Sequence, residues 1–363
     1  MTQATTRIEL QPGLCGETER TLLANDHFRV SAFRFSTGVP AVRLHNAPGN
    51  LVVLPWQGQQ IWSAHVHGRP LGMQTTFQEP VPTRDYLSTY GAFLLHCGAL
   101  AMGVPGPDDR HALHGELPNA PYQEAYLLLG EDAEGPFLTL GGTYEHRVAF
   151  AGHYLARAGI TLRPGRPVYD VSLEVTNLRR SPMPWMYLAH INFRPADGAR
   201  LVYSAPCTPE HVRVRRSVPS HVTTPPGYRE LLDRLAADPA LHNVFSESTP
   251  YNPEVCLYLD YLADAQGWAH SMQVHPDGRA DYVAHRPEQL GKAVRWIANT
   301  GDERAMGLVL PATAEPEGFS AEKAKGNVQA ILPGASRRVS LRIGALLTAP
   351  AAETAKAIEA ILA

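Results

Sequence analysis

Apolar and polar residues alternate with a period of two along several stretches of the chain, and this pattern predicts β-strands. Apolar residues hold the odd positions of 169–176 and of 339–343, and polar residues hold the even positions. Each segment is therefore predicted to be a strand with one buried and one solvent-facing side. Shorter runs of the same kind predict further strands at 28–33, 50–54, 60–66, 125–129, 137–144, 154–162, 185–193, 255–261 and 306–310.

Glycine and proline occur along the whole chain, with 30 and 31 residues respectively. They supply the many turns that an all-β protein needs between short strands. Two segments have helical periodicity instead: residues 228–237, and the segment after Pro350, for which Thr348 is the predicted N-cap. No internal repeat, low-complexity tract or linker divides the chain, so we expect a single domain over residues 1–363.

The composition is that of a globular protein, and it favours a neutral small molecule as the expected ligand. Hydrophobic residues make up 44% of the chain and charged residues 18%, which is ample for a large core. The formal net charge is -3 and no run of Lys or Arg is longer than a pair, so neither nucleic acid nor a membrane is the expected partner. Residues 1–9 lack the apolar core of a signal peptide, which predicts a cytoplasmic protein. The four cysteines are widely spaced, and we expect them to be reduced and buried.

Histidine is the main source of candidate chemistry, since the chain contains 16 of them. Imidazole titrates near neutral pH and can therefore give or take a proton during turnover. His111 and His114 lie in a turn-rich segment beside a glycine, where a ligand can approach the backbone closely. In the predicted strand 185–193, alternation places His190 and Asn192 on the same face, which predicts a polar surface suited to a sugar.

Two of these segments resemble the aldose 1-epimerases, or galactose mutarotases. The sequence HALHG at 111–115 is similar to the His-Pro-Leu-His-Gly loop of that family, and YLAHINF at 187–193 is similar to the strand that carries its catalytic histidine. The resemblance implies that His114 contacts the sugar and that His190 is the general acid that protonates the ring oxygen. It also implies that Asn192 binds substrate beside His190.

Further segments resemble an uncharacterised epimerase-like branch of the same superfamily. They are LPWQGQQIW at 54–62, YGAFLLHCG at 90–98 and LPG at 332–334. On this match His96 is expected to bind substrate, and so is Trp296, which stands beside Arg295 where that branch carries a Trp next to a basic residue. The resemblance implies a large antiparallel β-sandwich with minor peripheral helices and a site in a groove over one sheet.

The chain departs from the family at the general base. Mutarotases carry this glutamate in a Leu-Glu-Pro triplet, and here the corresponding residues are VLP at 309–311. Leu310 cannot accept a proton, so Glu315 and Glu317, the nearest carboxylates in sequence, are predicted as the base. Glu79 and Glu116 are further candidates.

The resemblance implies an enzyme that interconverts the anomers of a monosaccharide by acid-base ring opening, with no metal or organic cofactor. The missing glutamate favours an alternative, a sugar-binding protein without catalysis. A second alternative is a metal-dependent sugar isomerase, whose imidazole ligands would come from His65, His67, His111 and His114.

Overall fold

The computed structural model describes residues 5–218 and 223–363, which form 22 strands and three α-helices. The first four residues of the segment 1–9, interpreted above, lie outside these ranges, and the single-domain organisation over 1–363 stays a prediction. The strands are β1 (Thr6–Leu10), β2 (Arg20–Ala24), β3 (Arg29–Arg34), β4 (Pro40–Asn46), β5 (Gly49–Leu54), β6 (Gln60–Val66), β7 (Arg69–Pro70), β8 (Leu94–Ala99), β9 (Glu124–Asp132), β10 (Gly135–Val148), β11 (Gly152–Leu162), β12 (Val168–Asn177), β13 (Met183–Ile191), β14 (Arg200–Tyr203), β15 (Val212–Val214), β16 (Val255–Leu259), β17 (Ala269–Val274), β18 (Ala280–His285), β19 (Lys292–Asn299), β20 (Arg304–Ala312), β21 (Gln329–Ile331) and β22 (Ser336–Leu346). The helices are α1 (Tyr228–Ala237), α2 (Phe319–Ala324) and α3 (Thr348–Leu362).

The strands form two large antiparallel sheets that pack as a sandwich. The smaller sheet has the order β1-β9-β10-β11-β12-β22-β18-β17-β14, and the larger has the order β15-β16-β19-β20-β13-β8-β6-β5-β4-β3-β2. In the larger sheet β7 pairs with β6, and β21 pairs with β13. The predicted all-β sandwich with minor peripheral helices is confirmed.

Burial along the strands explains how well each was predicted. β12 alternates between half-buried and buried residues over its whole length, because only one of its faces packs on the core. Every residue of β8 is buried, and so is nearly every residue of β13, because both faces of the central strands are covered. The strand predicted at 185–193 is observed at 183–191, and the helix predicted at 228–237 has those bounds.

Two local predictions need correction. Leu347 takes the N-cap position of α3 and Thr348 begins the helix, so Thr348 is not the cap. Cys15, Cys97 and Cys256 are buried and free, as expected, but Cys207 is exposed.

Among the described residues, no helix has the length and apolarity that crossing a bilayer requires.

Candidate functional site

A cavity opens over the larger sheet where β16, β19, β20 and β13 lie side by side, toward one end of its strand order. The strands form the floor of the cavity. Its walls come from loop residues at 86–90, 104–114, 215 and 316. The cavity is lined by Tyr86, Leu87, Tyr90, Val104, Leu113, His114, Leu188, His190, Arg215, Glu254, Cys256, Val294, Trp296, Leu310 and Pro316. Three of the residues predicted from the sequence, His114, His190 and Trp296, are therefore among its lining residues.

His190 and Asn192 project together from the end of β13, as the alternation predicted. Nδ1 of His190 lies 2.7 Å from Oδ1 of Asn192, and Nδ2 of Asn192 donates to the carbonyl oxygen of Ala92 at 2.9 Å. A carbonyl oxygen only accepts, so the amide nitrogen must face Ala92 and the amide oxygen must face His190. Nδ1 of His190 therefore carries a proton, and in the neutral ring Nε2 is the acceptor.

Burial sets the protonation state of His190. The side chain is almost fully enclosed, and this burial lowers the pKa of His190 to about 4, although the hydrogen bond to Asn192 acts in the opposite direction. The imidazole is thus neutral near pH 7 in the free protein. Nε2 lies 3.4 Å from the hydroxyl oxygen of Tyr90, another lining residue.

Aromatic rings enclose His190 on several sides. The ring of Trp296 lies 5.2 Å from that of His190 in an edge-on arrangement, and the ring of Tyr90 lies 6.1 Å from that of Trp296. Tyr86 packs against both Tyr90 and His114, at 5.2 and 4.9 Å. Burial raises the pKa of Tyr86 and of Tyr90 well above the ordinary value, so both hydroxyls stay protonated and can donate. Such walls suit a small ligand that presents an apolar face to the aromatic rings and has polar groups for the hydroxyls and imidazoles.

The loop at 111–116 brings His114 to the cavity, with its ring 5.6 Å from that of His190. His114 has a left-handed backbone conformation, with φ of 58°, and the next residue, Gly115, has φ of 82°. A Cβ atom at Gly115 would lie 2.2 Å from the carbonyl oxygen of Ala101, so only glycine fits there. The glycine of the HALHG motif therefore allows the close approach of loop and sheet that places His114.

Sequence reasoning missed the carboxylate that lines the cavity, Glu254. It lies immediately before β16, and its Oε2 accepts a hydrogen bond of 2.6 Å from Nε1 of Trp296. Leu310, which stands where the resemblance to mutarotases implies the base, also lines the cavity. No local motif marks Glu254. Glu254 stands just before the strand predicted at 255–261, but only the pairing of Cys256 with Trp296 across the β16–β19 ladder shows that it lies at the cavity.

Arg215 connects Glu254 to Glu317. Nη1 of Arg215 lies 3.4 Å from Oε1 of Glu254, and Nε lies 2.8 Å from Oε1 of Glu317. Glu317 also accepts hydrogen bonds from Ser217, at 2.7 Å, and from the hydroxyl of Tyr258. Burial opposes ionisation of Glu317, but Arg215 and these donors hold its pKa below the ordinary value. Glu317 is thus an ionised carboxylate that does not line the cavity itself but contacts Arg215, which does.

Glu315 and His96 lie outside the cavity lining. Glu315 forms ion pairs with Arg213, at 3.2 Å, and with Lys325, at 2.7 Å. His96 is paired with Ala189 across the β8–β13 ladder, so it faces the side of the sheet opposite to His190. There His96 is buried at 2.7 Å from the hydroxyl of Tyr187, and burial lowers its pKa to about 4.

The two further carboxylates considered as bases also have other partners. Glu79 accepts a hydrogen bond from Ser36 at 2.6 Å. Glu116 accepts from the backbone N–H groups of Ala99 and Leu100 and from the hydroxyl of Tyr154. Glu315, His96, Glu79 and Glu116 therefore do not line the cavity.

The histidines considered as metal ligands, His65, His67, His111 and His114, do not form a ligand group among the described residues. Across residues 5–218 and 223–363, no group of three or more His, Cys, Asp or Glu side chains is placed to hold a metal ion. His111, for example, contacts Asp109 at 3.5 Å and the backbone of Ala112 at 2.8 Å.

Comparison with solved structures identifies the fold. A Klebsiella pneumoniae protein described as a "putative aldose 1-epimerase" superposes with a TM-score of 0.82 at 16% identity, over 99% of this chain and 96% of that one. A galactose mutarotase-like protein from Clostridium acetobutylicum matches with a TM-score of 0.60 at 12% identity, over 88% and 99% of the two chains. One from Lactobacillus casei matches with a TM-score of 0.53 at 13% identity, over 84% and 99%.

At these identities the likeness establishes the galactose mutarotase-like fold and not an activity. No curated protein matches the chain in sequence. A family model described as "Domain of unknown function (DUF4432)" matches residues 36–345, which is most of the chain. The chain therefore belongs to the DUF4432 family and has the galactose mutarotase-like fold.

Proposed function

We propose that the protein is an aldose 1-epimerase-like enzyme that interconverts the anomers of a monosaccharide, with His190 and Glu254 as its acid-base pair. The observation that carries the proposal is that an imidazole and a carboxylate line the same aromatic cavity. Trp296 lies between them, since its ring packs against His190 and its indole N–H donates to Glu254. Ring opening of a cyclic sugar needs one group to accept a proton and another to donate one.

In the proposed reaction Glu254 takes the proton of the anomeric hydroxyl while the bond between C1 and the ring oxygen breaks. The imidazolium form of His190 gives its Nε2 proton to the ring oxygen, which yields the open-chain aldehyde. Rotation about the bond between C1 and C2 presents the other face of the carbonyl. Closure reverses both transfers: the ring-oxygen proton returns to His190 and Glu254 returns its proton to the anomeric oxygen. The protein and the sugar exchange only protons, and the proposal includes no metal or organic cofactor.

The other lining residues have supporting roles in this proposal. Asn192 holds the Nδ1 proton of His190, so that Nε2 is the nitrogen that exchanges protons with the sugar. Tyr90 and His114 supply hydrogen-bonding groups for hydroxyls, and Trp296 supplies an apolar edge. We propose a neutral monosaccharide as the ligand.

The test is anomer exchange measured by NMR magnetisation transfer on a panel of aldoses. Wild-type protein is expected to accelerate exchange for at least one of them. His190→Gln and Glu254→Gln are each expected to lower the rate by about 10²-fold or more, the usual contribution of a placed acid or base. Full activity in both variants would refute the assignment.

A non-catalytic sugar-binding protein is the second candidate. The observation that favours it is Leu310, an apolar side chain lining the cavity where the family's base is expected. The same samples distinguish the two: saturation-transfer signals from a sugar, without acceleration of its anomer exchange, would support binding alone.

A further inference from the structure

We propose that Arg215 is a positioning residue, which holds the Glu254 carboxylate in place, and that Glu317 holds Arg215 in turn. This inference rests on the proposed function, because Glu254 is the base of that reaction. Arg215 follows β15, and its backbone N–H donates to the carbonyl oxygen of Cys256 at 2.9 Å. The strand pairing therefore continues through Arg215 and places its side chain beside the start of β16, where Glu254 lies.

The contacts of Arg215 are directional. Its Nη1 faces Glu254 at 3.4 Å, while its Nε faces Glu317 at 2.8 Å and Ser217 at 2.9 Å. Glu317 is itself fixed by the hydroxyls of Ser217 and Tyr258. Glu317 thus fixes one edge of the guanidinium, and the other edge is presented to Glu254. A planar guanidinium with fixed partners holds a neighbouring carboxylate in a defined orientation, whereas a flexible ammonium group does not.

Charge and burial make this arrangement necessary for Glu254. The side chain of Arg215 is only 7% exposed, and it is shared by two carboxylates that are 26% and 17% exposed. Without the cation, Glu254 and Glu317 would face each other across a largely enclosed space, and two nearby carboxylates repel. Glu254 would then be expected to move toward solvent.

One hydrogen bond alone would not orient the carboxylate. Trp296 contacts Oε2 of Glu254 and Arg215 contacts Oε1, so the two contacts together fix the plane of the group. A shift of about 1 Å in a reacting group can lower a rate by about 10²-fold. The predicted effect of losing Arg215 is therefore on kcat, through the position of Glu254.

The chain offers a matched control two residues earlier. Arg213 also forms an ion pair with a buried carboxylate, Glu315, at 3.2 Å, but neither of them lines the cavity. The side chain of Arg213 is 46% exposed, so removing it should cost little stability. Arg213→Met thus makes the same substitution two residues earlier in the chain, at a residue that does not line the cavity.

The test begins with a measurement that does not depend on activity. The five tryptophans are labelled with 5-fluorotryptophan, and the ¹⁹F resonance of Trp296 is assigned by its loss in Trp296→Phe. We expect this resonance to shift in Arg215→Met and in Glu317→Gln, because the acceptor of the indole N–H moves, and to stay in place in Arg213→Met. An unchanged Trp296 resonance in Arg215→Met, or the same shift in Arg213→Met, would overturn the proposal.

Kinetics then test the consequence. Arg215→Met is expected to lower kcat about 10²-fold with a smaller change in KM. Arg215→Lys, which keeps the charge, and Glu317→Gln are expected to lie between that variant and wild type, while Arg213→Met stays within about twofold of wild type. A higher KM with an unchanged kcat in Arg215→Met would show that Arg215 binds the substrate directly and does not position Glu254. If the wild-type protein exchanges no anomers, the proposed function fails, and the ¹⁹F result still decides whether Arg215 positions Glu254.

Discussion

The pH dependence of kcat/KM should reveal whether His190 donates or accepts a proton. In the proposed reaction only its imidazolium form can protonate the ring oxygen, because the neutral ring keeps its proton on Nδ1, toward Asn192. Burial lowers the pKa of His190 to about 4, so at pH 7 about one free molecule in 10³ has the charged form. Each decrease of one pH unit from 7 to 5 should therefore raise kcat/KM about tenfold, since kcat/KM follows the ionisations of the free enzyme.

The assay is polarimetry of a freshly dissolved pure anomer between pH 7.5 and 5.5, with the spontaneous rate subtracted at each pH and circular dichroism confirming that the protein stays folded. His190→Gln should lose the rise with acidity. Asn192→Leu removes the hydrogen bond that raises the pKa of His190, so kcat/KM at pH 7 should fall by about tenfold, as expected for a hydrogen bond worth about 1.4 kcal/mol.

A wild-type kcat/KM that stays flat from pH 7.5 to 5.5 would refute this reasoning. It would mean that neutral His190 is the active form, and that its free Nε2 accepts a proton while another group supplies one to the ring oxygen.

Three further predictions follow from the same structure. Burial lowers the pKa of His96 and His190 to about 4 and of His242 and His285 to about 3. Below about pH 6.5 the unfolded chain therefore binds protons at these histidines that the folded chain does not bind. The free energy of unfolding, measured by urea titration, should thus fall as pH drops from 6.5 toward 4, by up to about 1.4 kcal/mol per pH unit for each histidine; a constant value would contradict their buried neutral state. Gly115→Ala should lower the melting temperature and the activity together, because it forces a Cβ against the carbonyl oxygen of Ala101, and unchanged values would show that the loop can relax. Treatment with EDTA should change neither the circular dichroism nor the rate of anomer exchange, whereas a loss restored by one added metal ion would support a metal-dependent isomerase.

The fold could be predicted from the sequence where burial is one-sided. β12 exposes alternate residues, so its period-two pattern is visible in the chain. The all-buried β8 carries no such pattern, and its identification depended on a family resemblance around residues 90–98. The same resemblance gave His96 a role, but its ladder position opposite Ala189 turns its side chain away from the cavity. A motif match indicates which strand is present, and only the register decides which face a side chain occupies.

The candidate site was predictable only where neighbours in space are also neighbours in sequence. His190 and Asn192 are two apart on one strand, and alternation was enough to place them together. Glu254 was missed because its partners, Trp296 and Arg215, come from strands far away in sequence. Sequence proximity to Leu310 instead favoured Glu315, which is engaged with Arg213. Contacts across a ladder have no local signature, so the carboxylate could be found only from the pairing of β16 with β19.

The role proposed for Glu254 also constrains how a sugar would lie in the cavity. Leu310 pairs with Val294 in the β19–β20 ladder, and both line the cavity, so the floor is apolar where the resemblance to mutarotases implies a base. Glu254 enters instead from the start of β16, two strands away from β20. In the proposed reaction the anomeric hydroxyl must point toward Glu254 while the ring oxygen stays near His190. The bound sugar is therefore expected to point its anomeric hydroxyl toward β16, across Trp296.

This orientation can be tested by restoring the family's carboxylate. The double variant Glu254→Gln/Leu310→Glu places a glutamate at the family's position and removes the one that we propose. We expect no recovery over Glu254→Gln alone, for two reasons. A carboxylate at position 310 would lie away from the anomeric hydroxyl, and Leu310 is 2% exposed, so a charge there would lose most of its hydration. Leu310→Glu alone, checked by its melting temperature, controls for misfolding. If the folded double variant regains anomer exchange to within about tenfold of wild type, the two base positions are interchangeable and the sugar is not oriented by Glu254.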